Sequence, residues 1–139
     1  MMTTVDIRTM SDSSLAVGSA GPSTVSIDRA KETGGYGWGF NGGDRLLLAI
    51  GGGFSNDIFR EAGNRGRSLR KVQVTVRADW SGEPVRAQNV SFDVALEADA
   101  TQEDISDLIH YPDRVAEIPN SLRFGTVVKL AELKAIPLR

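Results

Sequence analysis

The stretch "LLLAIGGGFSNDIFREAGNRG", residues 46–66, has the pattern of a long helix with three glycines in its middle. Residues 51–53 should cost such a helix roughly 2–3 kcal/mol relative to alanine. An apolar stripe at steps of three or four residues nevertheless crosses the glycines without a change of phase. The stripe consists of Leu47, Ile50, Phe54, Ile58 and Ala62. The pattern therefore predicts one continuous helix, roughly over residues 43–63 and about 30 Å long.

Glycines inside a helix have two interpretations. They allow another element to approach the helix backbone closely, or they leave room for a ligand beside it. Asp44 or Asn41 can cap the start of this helix. Gly63 and Gly66 are typical of its end.

Length, composition and net charge limit the classes of function that the sequence allows. The 139 residues are predicted to form a single domain, residues 1–139. A net charge of −2 and the lack of an apolar run of about 18 residues argue against nucleic-acid and membrane partners. The first residues lack the pattern of a secretory signal, so a cytoplasmic location is expected. With no cysteine and one histidine, neither a metal site nor a cofactor is expected.

Strands and a loop are predicted before the long helix. Residues 3–9 and 14–28 are rich in Val, Ile, Thr and Ser and predict two or three short strands. Half of "TGGYGWGFNGGD", residues 33–44, is glycine, which predicts a loop. No Gly-Lys-Ser/Thr follows it, so it is not a phosphate-binding loop. Tyr36 and Trp38 either line an apolar pocket or anchor this loop to the core.

Alternating residues beyond the long helix predict an antiparallel hairpin of two strands, in residues 69–80 and 89–98. The turn chemistry of residues 81–84 joins them. Thr101 can then cap a short helix. Runs of strands and helices without strict alternation predict the α+β class, with antiparallel sheets packed on the long helix.

The last part of the chain is predicted to contain a second short helix and a strand. Pro112 suits the first turn of that helix, and Pro119 would bend or end it. Glu117 and Arg123 could form an ion pair on either side of that bend. The stretch "GTVVKLAEL", residues 125–133, predicts a closing strand.

Two stretches carry a resemblance to a known family: "GGYGWGFNGGDRLLLAIGGGF", residues 34–54, and "DRVAEIPNSLRFGTVVKL", residues 113–130. With the paired strands between them, they resemble the OsmC/Ohr superfamily of osmotically inducible and organic hydroperoxide resistance proteins over about residues 14–131. The resemblance implies an OsmC-like fold and an intertwined homodimer, with the long helices in the middle and the sites at the subunit interface. It also implies an oxidative stress chemistry, in which one cysteine thiolate attacks a hydroperoxide and a second cysteine resolves the product.

This chain departs from the family at both cysteines. Counted without gaps from the helix start, Asp44 matches the position of an active-site glutamate in the hydroperoxide resistance proteins. Phe54 matches the peroxidatic cysteine, and Ile118 matches the resolving cysteine. Ser55 is the nearest residue with a nucleophile-like side chain, but a serine hydroxyl does not take the oxidation steps of a thiolate. The resemblance therefore implies that the fold and the groove are kept without the thiol peroxidase chemistry.

Polar residues on the long helix allow two interpretations. Asp57 and Arg60, and likewise Glu61 and Arg65, have spacings that permit ion pairs on an exposed helix face. Alternatively, they form a polar wall of an interface pocket. His110 is either a cap or surface residue at the end of a short helix, or an acid–base group. The residues predicted as candidates for the groove are Asp44, Gly53, Ser55, Asp57, Arg60, Glu61, His110 and Glu117.

Three classes of function remain compatible with the sequence. The first is a cysteine-less OsmC-like protein that binds a small apolar or amphipathic ligand at the dimer groove, without redox turnover. The second is an enzyme of a non-thiol acid–base or hydrolytic type, which uses Asp or Glu carboxylates and His110. The third is a purely structural partner of another protein.

Overall fold

The computed structural model describes residues 1–138 and has an α+β architecture, as the sequence predicts. The elements are β1 (Asp6–Thr9), β2 (Ala16–Ala20), β3 (Ser23–Ile27), a 3-10 turn (Lys31–Thr33), α1 (Gly42–Asn64), β4 (Leu69–Ser81), β5 (Arg86–Ala98), α2 (Gln102–Val115) and α3 (Glu117–Arg123). Strands β1, β2 and β3 form one antiparallel sheet in that order. Strands β4 and β5 form a separate antiparallel hairpin.

Helix α1 is continuous through its three glycines, which confirms the predicted helix. The Asn41 side chain caps it, since its carbonyl oxygen accepts the backbone N–H of Asp44 at 2.8 Å. Its buried side follows the predicted stripe and packs against β4, α2 and α3. The phase of an apolar stripe therefore predicted this helix correctly, although its glycines disfavour it.

The core lies between α1 and the hairpin. Phe54, Ile58 and Ala116 are fully buried at its centre. On β4, Val72, Val74 and Val76 are half-buried while the residues between them are exposed, so the predicted alternation is confirmed. Apolar side chains of β5 complete this layer. The hairpin thus presents one apolar face to α1 and one polar face to solvent.

The three glycines of α1 meet different surroundings. A methyl group added at Gly51 would lie 3.0 Å from Cγ2 of Val76. One added at Gly53 would lie 3.4 Å from Cγ1 of Ile118, whereas one at Gly52 would meet no atom within 4 Å. Close approach of another element therefore explains Gly51, which lies against β4, whereas Gly52 faces open space.

Replacement of Gly51 by leucine is expected to lower the free energy of unfolding by about 1–3 kcal/mol, because the new side chain overpacks Val76 and Val74. At Gly52 the first side-chain carbon meets no atom within 4 Å, and leucine there also replaces a poor helix former, so this variant should be neutral or stabilise by up to about 1 kcal/mol. Urea denaturation of the two variants checks this difference. Equal losses at the two positions would contradict the assignment of the close approach to Gly51.

Two helix boundaries differ from the prediction. Pro112 lies inside α2 instead of starting a new helix. Its ring cannot donate to the carbonyl of Leu108, but both side chains are fully buried, and their packing outweighs the lost hydrogen bond. Pro119 lies in the first turn of α3 instead of bending or ending a helix, because a residue there needs no helical N–H.

The predicted closing strand, residues 125–133, is wrong for the described chain. Residues 126–138 form neither helix nor strand. Their apolar side chains are almost fully exposed, and Val128 is 92% exposed. A strand needs hydrogen bonds to a neighbouring strand, and this segment pairs with no strand within residues 1–138.

Candidate functional site

The two positions matched to the family's cysteines lie on neighbouring elements. Phe54 is 0% exposed in the middle of α1, and its ring packs against Phe92 of β5 with a centroid distance of 4.8 Å. Ile118 is 38% exposed on α3 and faces the backbone of α1 at Gly53. Both side chains are apolar and carry no nucleophile. The structure therefore fills these positions with packing groups.

A groove runs along α1 where it meets β4, with a volume of about 560 Å³. We call it the α1–β4 groove. Its apolar walls are formed by Phe40, Leu47, Leu48, Val74 and Val76. Gly51 and Gly52 contribute bare backbone, and Ser55 contributes a hydroxyl group. The groove therefore offers an apolar surface with few polar groups, which is typical of small-molecule sites.

Asp44 is the one ionisable residue that lines the α1–β4 groove within the described chain. It lies in the first turn of α1, where the helix dipole favours a negative charge. Its backbone N–H is used by the Asn41 cap. Its carboxylate forms no ion pair with another residue of the range 1–138. The groove thus has a single charged end.

The remaining predicted groove residues lie elsewhere. Asp57 pairs with Arg60 at 3.0 Å, and Glu61 pairs with Arg65 at 2.7 Å, which confirms the two predicted ion pairs. The side chains of Asp57 and Glu61 are mostly buried, at 14% and 13% exposure, but neither ion pair lines the α1–β4 groove. Gly53 faces α3 on another side of the helix. Asp44 and Ser55 therefore line the same groove, and the other candidates do not.

His110 lies within α2, not at the end of a helix, and lines a separate cavity of about 540 Å³ beside Phe54. Its Nδ1 is 2.8 Å from the backbone carbonyl oxygen of Ser106. Because a carbonyl oxygen only accepts, Nδ1 donates this hydrogen bond.

The polar residues near His110 are engaged with each other. Asp113 pairs with Arg123 at 2.7 Å, so the suggested pairing of Arg123 with Glu117 is wrong. Glu117 begins α3 and lines neither this cavity nor the α1–β4 groove.

A buried carboxylate that the sequence patterns did not single out organises the glycine-rich loop. Asp28 follows β3 and is 2% exposed. Its Oδ1 accepts the Ser14 hydroxyl and the Arg29 N–H, both at 2.8 Å. Its Oδ2 accepts the N–H groups of Tyr36 at 2.9 Å and of Trp38 at 3.3 Å. Four donors on one carboxylate fix the path of the loop.

The loop is packed tightly against its own base. A methyl group added at Gly35 would lie 2.0 Å from the Arg29 carbonyl oxygen, so a side chain does not fit there. Tyr36 and Trp38 stack on each other with a centroid distance of 4.8 Å. Trp38 is 67% exposed, so the pair is held outward and does not anchor the loop to the core.

Acid is expected to loosen this loop. Burial alone would raise the pKa of Asp28, but the hydrogen bonds from Ser14, Trp38, Tyr36 and Arg29 outweigh it and lower the pKa below 3.8. Because the folded pKa is depressed, the stabilisation is complete above the unfolded value and is lost as the pH falls through the folded value.

The Asp28→Asn variant should therefore have a melting temperature several degrees below that of the natural protein at pH 7, and this gap should narrow toward pH 3. Thermal denaturation across that range measures the gap. Asp12→Asn, in the β1–β2 turn, removes a carboxylate with an exposed side chain and serves as the control. A gap that stays constant with pH would contradict the role of the ionised carboxylate.

Two further properties concern the described residues only. No group of three His, Cys, Asp or Glu side chains among residues 1–138 is placed to hold a metal ion. Within the same range, no helix has the length and apolar character that crossing a membrane requires.

Comparison with known proteins places this fold in a family. The sequence model of the OsmC-like proteins matches residues 33–131, and the chain therefore belongs to the OsmC family. The predicted resemblance and the OsmC-like fold are thus confirmed. Comparison with curated proteins gives no match. Because the chain contains no cysteine, it is a member of the family without a thiol.

Three solved structures illustrate the fold. An OsmC-like protein from Mycoplasma pneumoniae has a TM-score of 0.75 at 14% identity, over 88% of each chain. An organic hydroperoxide resistance protein OsmC from Legionella pneumophila has a TM-score of 0.59 at 19% identity, over 88% of this chain and 90% of that one. A putative organic hydroperoxide resistance protein from Vibrio cholerae, with captopril bound in one of its active sites, has a TM-score of 0.58 at 23% identity, over 88% of this chain and 85% of that one.

Proposed function

We propose that the protein is a non-peroxidase member of the OsmC family, which forms an intertwined homodimer and binds a small apolar or amphipathic ligand in the α1–β4 groove. The groove itself carries the proposal. Its volume of about 560 Å³ lies within the usual range of ligand sites, about 300–1,000 Å³. Gly51 and Gly52 keep it open at the level where the helix would otherwise carry side chains.

The proposed loss of peroxidase activity is inferred from Phe54 and Ile118, the two residues matched to the family's cysteines. A peroxidatic thiolate must be accessible and stabilised in its ionised form. Phe54 is fully buried and apolar, and Ile118 is apolar as well. Family membership then explains the fold, whereas the side chains at these positions explain why its thiol chemistry is not expected.

The proposed homodimer is supported by the exposed surface of the chain. A folded monomer of 15.0 kDa should expose roughly 7,000 Å² by the usual scaling with mass. This chain exposes 10,783 Å², about half as much again. Large apolar side chains contribute to it on α1 and β4, among them Phe59 and Trp80. Such a surface is typical of a subunit that buries much of it against another chain.

The intertwining is supported by an open strand edge and an unpaired segment. Strand β5 pairs with β4 along one edge and has no second neighbour in the described chain. Residues 126–138 carry exposed apolar side chains and pair with nothing in the same range. An exposed edge readily accepts an added strand. We therefore propose that this segment of one copy pairs with β5 of the other.

A ligand panel with two matched variants tests the proposed function. Fatty acids, alcohols, amines and aryl esters are added to the protein, and the melting temperature is recorded. Gly52→Leu should abolish the shift by filling the α1–β4 groove. Gly63→Leu should preserve it, because Gly63 also meets no neighbour but lies near the other end of α1, outside the groove. A panel without any shift, or a shift that survives Gly52→Leu, would overturn the proposal.

The competing function is a non-thiol enzyme that uses His110. The observation in its favour is that His110 lines the cavity beside Phe54. Hydrolysis of the aryl esters in the same panel tests it, and the His110→Ala variant should abolish that turnover. A melting-temperature shift without turnover favours the binding protein.

The proposed function also includes a cytoplasmic location, without nucleic-acid or membrane partners.

A further inference from the structure

We propose that the ligand of the α1–β4 groove is an amphipathic amine, whose ammonium group binds at Asp44 while its apolar tail occupies the groove. This inference rests on the proposed function and names the chemical class of the ligand. It begins from the position of Asp44 at the end of an otherwise uncharged groove. An apolar molecule with a positively charged end is complementary to that arrangement.

Asp44 also lines a second cavity, which lies beside the glycine-rich loop. This cavity has a volume of about 450 Å³ and a predominantly polar lining. Besides Asp44, its side chains include Lys31, Glu32, Tyr36 and Asn41. Asp44 therefore stands where an apolar space meets a polar one, which is the place for the head group of an amphipathic molecule.

The charges and the aromatic ring around this junction favour a cation. Asp44 and Glu32 bring two carboxylates, and Lys31 brings one positive charge. Tyr36 adds an aromatic ring, whose face attracts ammonium groups. The start of α1 alone would favour an anion, but Asp44 already places a negative charge in that first turn. A ligand carboxylate would meet two like charges against the single opposite charge of Lys31, and it is disfavoured relative to an ammonium group.

The loop that forms one wall of the junction is fixed before any ligand binds. Asp28 accepts the N–H of Tyr36, and Tyr36 stacks on Trp38. A wall that is already ordered loses little conformational entropy on binding. The head-group site therefore has a rigid aromatic side and a charged side.

Three probes of equal chain length test the inference: n-octylamine, n-octanol and octanoate, each titrated calorimetrically into the whole protein at pH 7. The amine should bind roughly tenfold or more tightly than the alcohol, and octanoate should bind most weakly. Asp44→Asn should weaken amine binding by roughly tenfold and leave alcohol binding unchanged. Glu103→Gln is the matched control, since it removes an acid from the first turn of another helix, outside both cavities.

The outcomes separate this inference from the proposed function. Equal binding of all three probes would agree with a ligand site in the apolar groove but would overturn the preference for an amine. If none of the probes binds, both the amine preference and the proposed ligand-binding function are overturned. Dissociation of the protein into monomers by Asp44→Asn alone, seen by sedimentation, would mean that the carboxylate serves the contact between subunits, and this would also overturn the amine. An amine preference that Asp44→Asn removes and Glu103→Gln retains would support it.

Discussion

The Phe54→Ala variant is expected to lose about 3–5 kcal/mol of unfolding free energy, because it leaves a cavity at the centre of the core. Phe54 is 0% exposed, packs against Phe92 and belongs to the fully buried cluster with Ile58 and Ala116. The total free energy of unfolding of a natural domain is only about 5–15 kcal/mol. Thermal denaturation should therefore show a melting temperature lower by roughly 10 °C or more.

The control keeps most of the volume at the same position. Phe54→Leu retains an apolar side chain and should cost less than about 1.5 kcal/mol. An alanine variant as stable as the leucine variant would show that Phe54 does not have the packing role assigned to it.

The same burial bears on any attempt to restore the family's chemistry. A cysteine at Phe54 would lie in apolar surroundings, and burial raises the pKa of a thiol. The double variant Phe54→Cys, Ile118→Cys should therefore reduce hydroperoxides weakly at most.

Two charged residues in the C-terminal segment are expected to convert the protein from a dimer to a monomer. Val128 and Leu130 are almost fully exposed in the single chain, so Val128→Lys with Leu130→Lys has little to disrupt within it. In the proposed homodimer the same side chains are buried against the partner, and buried unpaired charges are strongly unfavourable there. Sedimentation at micromolar concentration should show the natural protein at about twice 15.0 kDa and the variant at 15.0 kDa.

The control for this prediction lies between the two substituted residues. Lys129→Glu reverses a charge in the same segment without adding one to an apolar position, so it should remain dimeric. A natural protein that sediments as a stable monomer would contradict the homodimer itself. A dimer that tolerates both lysines would contradict the role of this segment.

The sequence was sufficient to predict the elements whose information is local. The stripe through Phe54 and Ile58 predicted α1, and alternation predicted the β4–β5 hairpin. Cap candidates, Asp44 or Asn41 for α1 and Thr101 for α2, predicted two helix starts, and the side chains of Asn41 and Thr101 bond to N–H groups three residues away. Short sequence separations made each of these interactions visible as a pattern.

The features that the sequence did not predict depend on distant or external partners. Asp28 binds Ser14 and Tyr36, and no spacing rule connects these residues. Pro112 continues a helix because of tertiary burial, which overrides its intrinsic preference. The strand predicted at residues 125–133 has strand-forming residues but no neighbour in its own chain. The position of Asp44 at the junction of two cavities likewise requires the folded loop.

The most direct test of the whole account is hydroperoxide consumption by the purified natural protein. Cumene hydroperoxide and tert-butyl hydroperoxide are incubated with the protein and dithiothreitol, and the remaining peroxide is measured against a buffer blank. A chain without cysteine, in which we propose that Phe54 and Ile118 stand at the positions of the family's two cysteines, should consume no more peroxide than the blank. Robust peroxide turnover would contradict the central claim, because it would require a non-thiol mechanism in this fold.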